Sequence, residues 1–311
     1  MSASTETSDA LTATKARRVA RHAVGPALPY LLHLRPAEWP IVTSHMLVGW
    51  LLARGVATPD SALVIGAAAW VVGLNGGTLA LNSAFDRDEG DVAYLRNPPR
   101  PPRGLAWFAI ALILAGAAVT WNFPVAYRIA YGVCALLSVA YSVPPVRLKA
   151  VGGVDWVINM VGFGTLTPFA GWALTGISVH REDALLLAAF CPLFAALYPL
   201  TQIYQMDEDR DRGDSTFVIR LGAHRALAVA VVSATFAFAL FAVAAVLTQW
   251  PDRSLYRWAA IVIAALAWCA VLMPWVREGR LWSSAEHQRA MYHALGAWAI
   301  TDAAVIVAWC L

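Results

Sequence analysis

Apolar stretches about 20 residues long recur from one end of this chain to the other, the length an α-helix needs to cross the hydrocarbon core of a bilayer. Hydrophobic residues fill 59% of the 311 positions and charged residues 14%, against about 25% charged in an ordinary soluble domain. So little charge cannot coat a globular surface, and much of the surface is expected to face lipid. Hydropathy places nine spans, at about 28–53, 61–85, 104–121, 123–142, 152–177, 183–205, 223–248, 256–275 and 289–310. Residues 1–26 are rich in Ser, Thr and Ala and then basic (Lys15, Arg17, Arg18, Arg21), with no apolar run directly after the basic residues. They read as a disordered cytoplasmic tail rather than a cleavable signal peptide, and residues 27–311 as one membrane domain.

The loops sort by charge. The tail and residues 86–103, 143–151, 206–222 and 276–288 hold most of the Lys and Arg, while the opposite loops carry only scattered charges such as Arg54, Arg128 and Arg181. The positive-inside rule makes the first set cytoplasmic. The N-terminus is then expected inside and the C-terminus on the opposite side of a bacterial-type inner or plasma membrane. A net charge of +3 does not suggest nucleic acid binding. Cys134, Cys191, Cys269 and Cys310 are far apart and form no CxxC pair, so neither a zinc site nor a disulfide framework is indicated.

The acids are unevenly spread: of 20 Asp and Glu, four lie in 86–91 and five in 207–214. Both clusters sit at the cytoplasmic end of an even-numbered span. In the first, Asn82 and Asp86 are four apart and share a helix face, with Asp88, Glu89 and Asp91 following. In the second, Asp207 and Asp211 are four apart. Carboxylates crowded in this way repel one another unless cations intervene. Mg²⁺ suits the need, because it binds through one or two carboxylates plus substrate phosphates. A solvated connector would explain one such loop, but two that begin inside apolar helices point to function.

The paired motifs resemble those of the UbiA superfamily of intramembrane prenyltransferases, with an NDxxDxxxD-type motif after the second helix and a DxxxD motif after the sixth. Asn82 and Asp86 match the first, Asp207 and Asp211 the second. Gly213, Ser215-Thr216 and Arg220-Leu221-Gly222 are similar to the family's continuation, and the resemblance covers about residues 28–310. The chain departs from the pattern at Ser83, where an Asp is usual, and at Gly90, which leaves Glu89 or Asp91 to complete the first metal site.

The resemblance implies an all-α fold of nine transmembrane helices around a central cavity. It implies Mg²⁺ held by Asn82, Asp86, Asp91, Asp207 and Asp211, and a prenyl diphosphate gripped by Arg100, Arg103, Tyr141, Arg147 and Lys149. Each basic residue has a plainer reading as a positive-inside anchor, and Tyr141 as an interfacial tyrosine. Asp155 and Asn159 either line the cavity or bond neighbouring helices. Gln202 and Gln205 precede Asp207 and are expected to face the same cavity. In the first span, His33, Arg35, Glu38 and His45 are candidates for an acceptor pocket, with an Arg35–Glu38 ion pair as the alternative.

The activity implied is prenyl transfer, with Asp86, Asp207, Asp211 and Lys149 central to catalysis. The partners are a prenyl diphosphate, a lipophilic small-molecule acceptor and membrane lipid. A UbiA-type membrane terpene cyclase would use the same motifs. A transporter is the remaining rival, although transporters place ionisable residues near the midplane rather than at helix ends.

Overall fold

A computed structural model describes residues 17–86, 95, 97–250 and 255–311. Asp88, Glu89 and Asp91 lie outside the described residues, so the Asp91 expectation does too. Among the described residues the chain is helical and contains no strand; an isolated bridge joins Val151 and Ser215. Residues 17–24, which sequence places in the tail, are helical.

Among the described residues six helices are long and apolar enough to cross a membrane: Ser61–Asp86 (α2), Val125–Ser142 (α4), Arg181–Ile203 (α6), Ala223–Leu247 (α8), the helix beginning Leu255–Glu278 (α9) and Ser284–Cys310 (α10). Three further helical stretches are Trp39–Arg54 (α1), Leu105–Val119 (α3) and a composite through residues 154–173 (α5). The expected count of nine crossings rests on these shorter pieces. A one-and-a-half-turn helix, Met206–Asp211 (α7), follows α6. Large side chains such as Leu114, Leu136, Val232 and Leu266 are exposed along the rods. That surface is unfavourable in water and natural against lipid.

Two of the spans expected to be continuous are broken. The first contains Leu28–His33, then Arg35 in the left-handed region (φ 48°), then a 3₁₀ turn Pro36–Glu38 that feeds α1. Hydropathy does not register this break, because the flanking residues are apolar; Pro36 cannot donate to a continuing helix. The fifth span runs α-helix, π-helix, α-helix, with the π segment at Met160–Leu166, and α2 carries another at Ala69–Gly76. Wide π turns of this kind are frequent at functional sites.

Packing is close where side chains are small. A Cβ on Gly49 would overlap the Pro168 carbonyl, and one on Gly171 would overlap the Met46 carbonyl, so α1 and α5 cross backbone to backbone. Gly164 likewise sits against α6 at Phe190 and Phe194, whereas Gly162 faces open space. Pro199, inside α6, has no N–H for the Ala195 carbonyl four residues before it. The Trp156 indole donates to that carbonyl instead, at 2.9 Å, and ties α5 to α6.

Of three apolar clusters, the smallest lies between α2 and α3, and the two larger ones frame the fold. One joins α6, α8, α9 and α10; the other joins α1, α2, α4 and α5. His45 on α1 bridges them, hydrogen-bonded to Asp302 on α10 at 2.9 Å. The loops that sequence assigns to one side do gather at one end. Arg220 donates to the Gly152 carbonyl at 2.7 Å, Ser284 to the Tyr204 carbonyl at 2.8 Å and Tyr30 to the Arg103 carbonyl at 2.6 Å.

Candidate active site

Two cavities meet at this loop-rich end. The outer one, about 150 Å³, is polar and is lined by Asn82, Asp86, Lys149, Gln202, Gln205, Asp209, Arg212, Asp214 and Thr216. The inner one, about 260 Å³, is a largely apolar chamber between the two clusters, with Trp70, Phe163, Phe194 and Trp298 in its wall. Arg35, Asn82, Tyr141, Tyr198 and Thr201 line both and form the neck between them.

The polar cavity holds three buried carboxylates, each paired with a base. Asp86, the last residue of α2, pairs with Lys149 and lies 3.4 Å from Arg147. Asp214 accepts from Arg147 at 3.2 Å, and Arg212 approaches it at 3.5 Å. Asp209 pairs with Arg212. Burial raises the Asp209 pKa to about 6, with Arg212 and then Lys149 pulling it back down and Asp214 adding to the rise. Arg147, like Arg35, has a positive φ, 35°. A left-handed conformation costs a residue with a Cβ roughly 1–2 kcal/mol, and both arginines bear that cost at the site.

Asp155 is fully buried, and the structure assigns it to scaffolding. It does not line either cavity. Its carboxylate accepts from the Gly153 N–H at 2.8 Å, the Gln202 amide at 2.8 Å and the Phe217 N–H at 2.9 Å. Gln202 also donates to the Tyr198 hydroxyl at 3.0 Å and accepts from the Val218 N–H at 3.3 Å; Tyr198 meets Tyr141 at 2.9 Å. This network fixes the neck from behind. Asn159 lines the chamber and donates to the Asp155 carbonyl at 2.9 Å.

Several expected positions fall elsewhere. Asp207 and Asp211 do share a face of α7, but it is the outward one: both are exposed, and the Asp207 side chain is 95% accessible and paired with Arg210 at 3.0 Å. Asp209, between them, turns inward. Arg100 and Arg103 are exposed and line neither cavity, because their Pro-rich segment runs over the outside. Arg147 touches the site through its carboxylate partners rather than the cavity wall. Ser83 is buried away from both cavities. Asn82, Asp86, Lys149, Tyr141, Gln202 and Gln205 all line the outer cavity.

Sequence reading missed Asp209, Arg212, Asp214 and Tyr198. The signal for Asp209 was present. Gln202, Gln205 and Asp209 are spaced three and four, one helix face, and continuing the face that the glutamines mark leads to Asp209 rather than to Asp207.

The donor set is all oxygen. Among the described residues no group of three or more His, Cys, Asp or Glu stands together as a metal cage. The Asn82 side-chain oxygen, however, is buried at the neck with no hydrogen-bond partner among those residues. With Asp86 one turn on and Asp209 opposite, it suits a hard cation that takes few protein ligands and completes its shell with phosphate and water.

Residues 42–296 match the UbiA prenyltransferase family. No curated protein matches the chain. The fold is similar to that of a UbiA homologue from Archaeoglobus fulgidus bound to DMAPP and Mg²⁺, with 19% identity, 88% of this chain and 98% of that one covered, and a TM-score of 0.65. The same homologue bound to GPP and Mg²⁺ gives 20%, 89%, 99% and 0.63. A UbiA homologue from Aeropyrum pernix K1, without ligand, gives 19%, 87%, 98% and 0.63.

Proposed function

This chain belongs to the UbiA prenyltransferase family, and from that premise we propose that it moves a prenyl group from a prenyl diphosphate to a lipophilic acceptor inside the membrane. The observation that carries this reading is the neck: a small, charged cavity opens directly onto a larger apolar one. A molecule with a compact anionic head and a hydrocarbon tail fits both at once, with the reactive carbon between them.

Asn82, Asp86 and Asp209 would hold Mg²⁺, which supplies charge neutralisation on the leaving diphosphate. Lys149 and Arg212, now against carboxylates, are donors within reach of phosphate oxygens, and charge-assisted bonds of this type are the strong ones. Arg35 donates from the neck. Donors and cations fixed in advance where negative charge develops lower the barrier to breaking the C–O bond. Trp70, Phe163, Phe194 and Trp298 exclude water from the allylic cation, and a ring face can stabilise it.

The test is purified protein in detergent with Mg²⁺ and geranyl diphosphate. The expected result is pyrophosphate release that depends on Mg²⁺ and rises when an acceptor is added. Release of a cyclised hydrocarbon without acceptor would replace transfer with cyclisation, and absence of diphosphate binding would remove both.

A further inference from the structure

Thr216 stands directly before the short helix Phe217–Leu221, at the position where a threonine hydroxyl usually caps a helix by accepting from a backbone N–H two or three residues on. Here it makes no such bond. The first N–H groups of that helix are served from elsewhere: Phe217 donates to the Asp155 carboxylate at 2.9 Å and Val218 to the Gln202 side-chain oxygen at 3.3 Å. Capping has passed to one residue of α5 and one of α6. The Thr216 hydroxyl is left buried, with no hydrogen-bond partner among the described residues. Asp214, a carboxylate two residues earlier, is paired with Arg147 and Arg212 instead.

We infer that Thr216 is a diphosphate-binding residue whose hydroxyl donates to the phosphate farther from the neck. This rests on the reading above that the outer cavity holds the diphosphate. Thr216 is 6% exposed and lines the outer cavity, but neither the neck nor the chamber. A buried hydroxyl without a partner bears the full penalty of leaving water, and an unsatisfied group of this kind calls for a reason. A threonine hydroxyl has one proton to give, and phosphate oxygens are the acceptors that a diphosphate brings to this cavity. Lys149 and Arg212 carry charge but are turned to Asp86 and Asp209, whereas Thr216 is a neutral donor that no carboxylate holds. Its backbone is fixed on both sides, by the Val151–Ser215 bridge before it and the Phe217–Asp155 bond after it. The hydroxyl is therefore in place before a ligand arrives, and little ordering is lost on binding. The carbon that leaves the diphosphate lies at the neck, so the phosphate bonded to it is nearer Arg35 and the terminal one nearer Thr216.

Thr216→Val removes the hydroxyl and keeps the shape of the side chain. Calorimetric titration of detergent-purified protein with Mg²⁺ and geranyl S-thiolodiphosphate, an analogue that resists cleavage, should show binding weakened about 10-fold or more, the scale of a hydrogen bond to a charged group. Thr216→Ser, which keeps the hydroxyl, should bind close to wild type. Thermal unfolding without the analogue separates binding from structure. Because the hydroxyl has no partner to lose, Thr216→Val should unfold at or above the wild-type temperature. Geranyl monophosphate, which lacks the terminal phosphate, should compete no worse against the analogue at Thr216→Val than at wild type. Unchanged analogue binding by Thr216→Val, an equal loss in Thr216→Ser, a lowered unfolding temperature, or an equal loss for the monophosphate overturns the inference. A wild-type protein that does not bind the analogue overturns instead the reading on which it rests.

Discussion

Asp207 and Asp209 are two positions apart on α7, and that separation turns one carboxylate to solvent and the other onto Arg212 in the polar cavity. Asp209→Ala is therefore expected to reduce Mg²⁺-dependent pyrophosphate release by about 100-fold, the scale of losing one preorganised electrostatic contact. Asp207→Ala and Asp211→Ala should stay near the wild-type rate in the same assay. Sequence established which acids share a face, because i,i+4 spacing does that. It could not establish which way the face turns, since that depends on how α7, with Arg212 at its end, docks against the turn that carries Lys149. The His45–Asp302 pair makes a second residue-scale prediction. Both ring nitrogens of His45 face oxygen acceptors, Asp302 at 2.9 Å and the Gly164 carbonyl at 3.3 Å, and the ring is wedged edge-on between Phe190 and Trp298. His45→Ala leaves a buried carboxylate without its partner and should destabilise the fold by about 3–5 kcal/mol. The double change His45→Phe with Asp302→Leu should recover most of that, as measured by denaturant titration in detergent.

Helix α1 depends on a contact that hydropathy does not reveal. Its crossing with α5 brings Gly49 and Gly171 against opposing carbonyls, so even one methyl group there meets backbone rather than a side chain that can rotate away. Gly171→Ala should lower stability by about 1–3 kcal/mol, the usual range for overpacking. Gly162→Ala, with open space beside it, should be tolerated, and thermal unfolding of the two variants side by side checks the contrast. The long helices α2, α4, α6, α8, α9 and α10 were legible in sequence because each presents at least 18 residues of unbroken apolar character. The breaks in the first and fifth spans were not. Apolar content is unchanged by a left-handed residue at Arg35 or by a π turn at Met160–Leu166, and both features answer to tertiary packing rather than to local composition.

For the molecule as a whole, the two acidic motifs meet because each ends an even-numbered span, and this much could be read from hydropathy and charge. The chamber between the two clusters could not, since it is what remains after six helices have packed. Its α10 wall is Met291, Leu295 and Trp298, on one face at spacings of four and three. Trp298 is the deepest of these, with its ring 4.7 Å from that of His45. Trp298→Ala should lengthen the chamber and shift turnover from geranyl toward geranylgeranyl diphosphate, measured by competition between the two. The π segments of α2 and α5 have a consequence of another kind. In a π turn each bond spans one residue more than in an α turn, so each segment works as a phase insert between the two ends of its helix. Removing a single residue, Val71 from α2 or Val161 from α5, would leave a continuous rod of nearly the same length but rotate one end against the other by about 100°, the turn per residue of an α-helix. In α2 that would swing Asn82 and Asp86 off the cavity while every functional side chain stayed in the sequence.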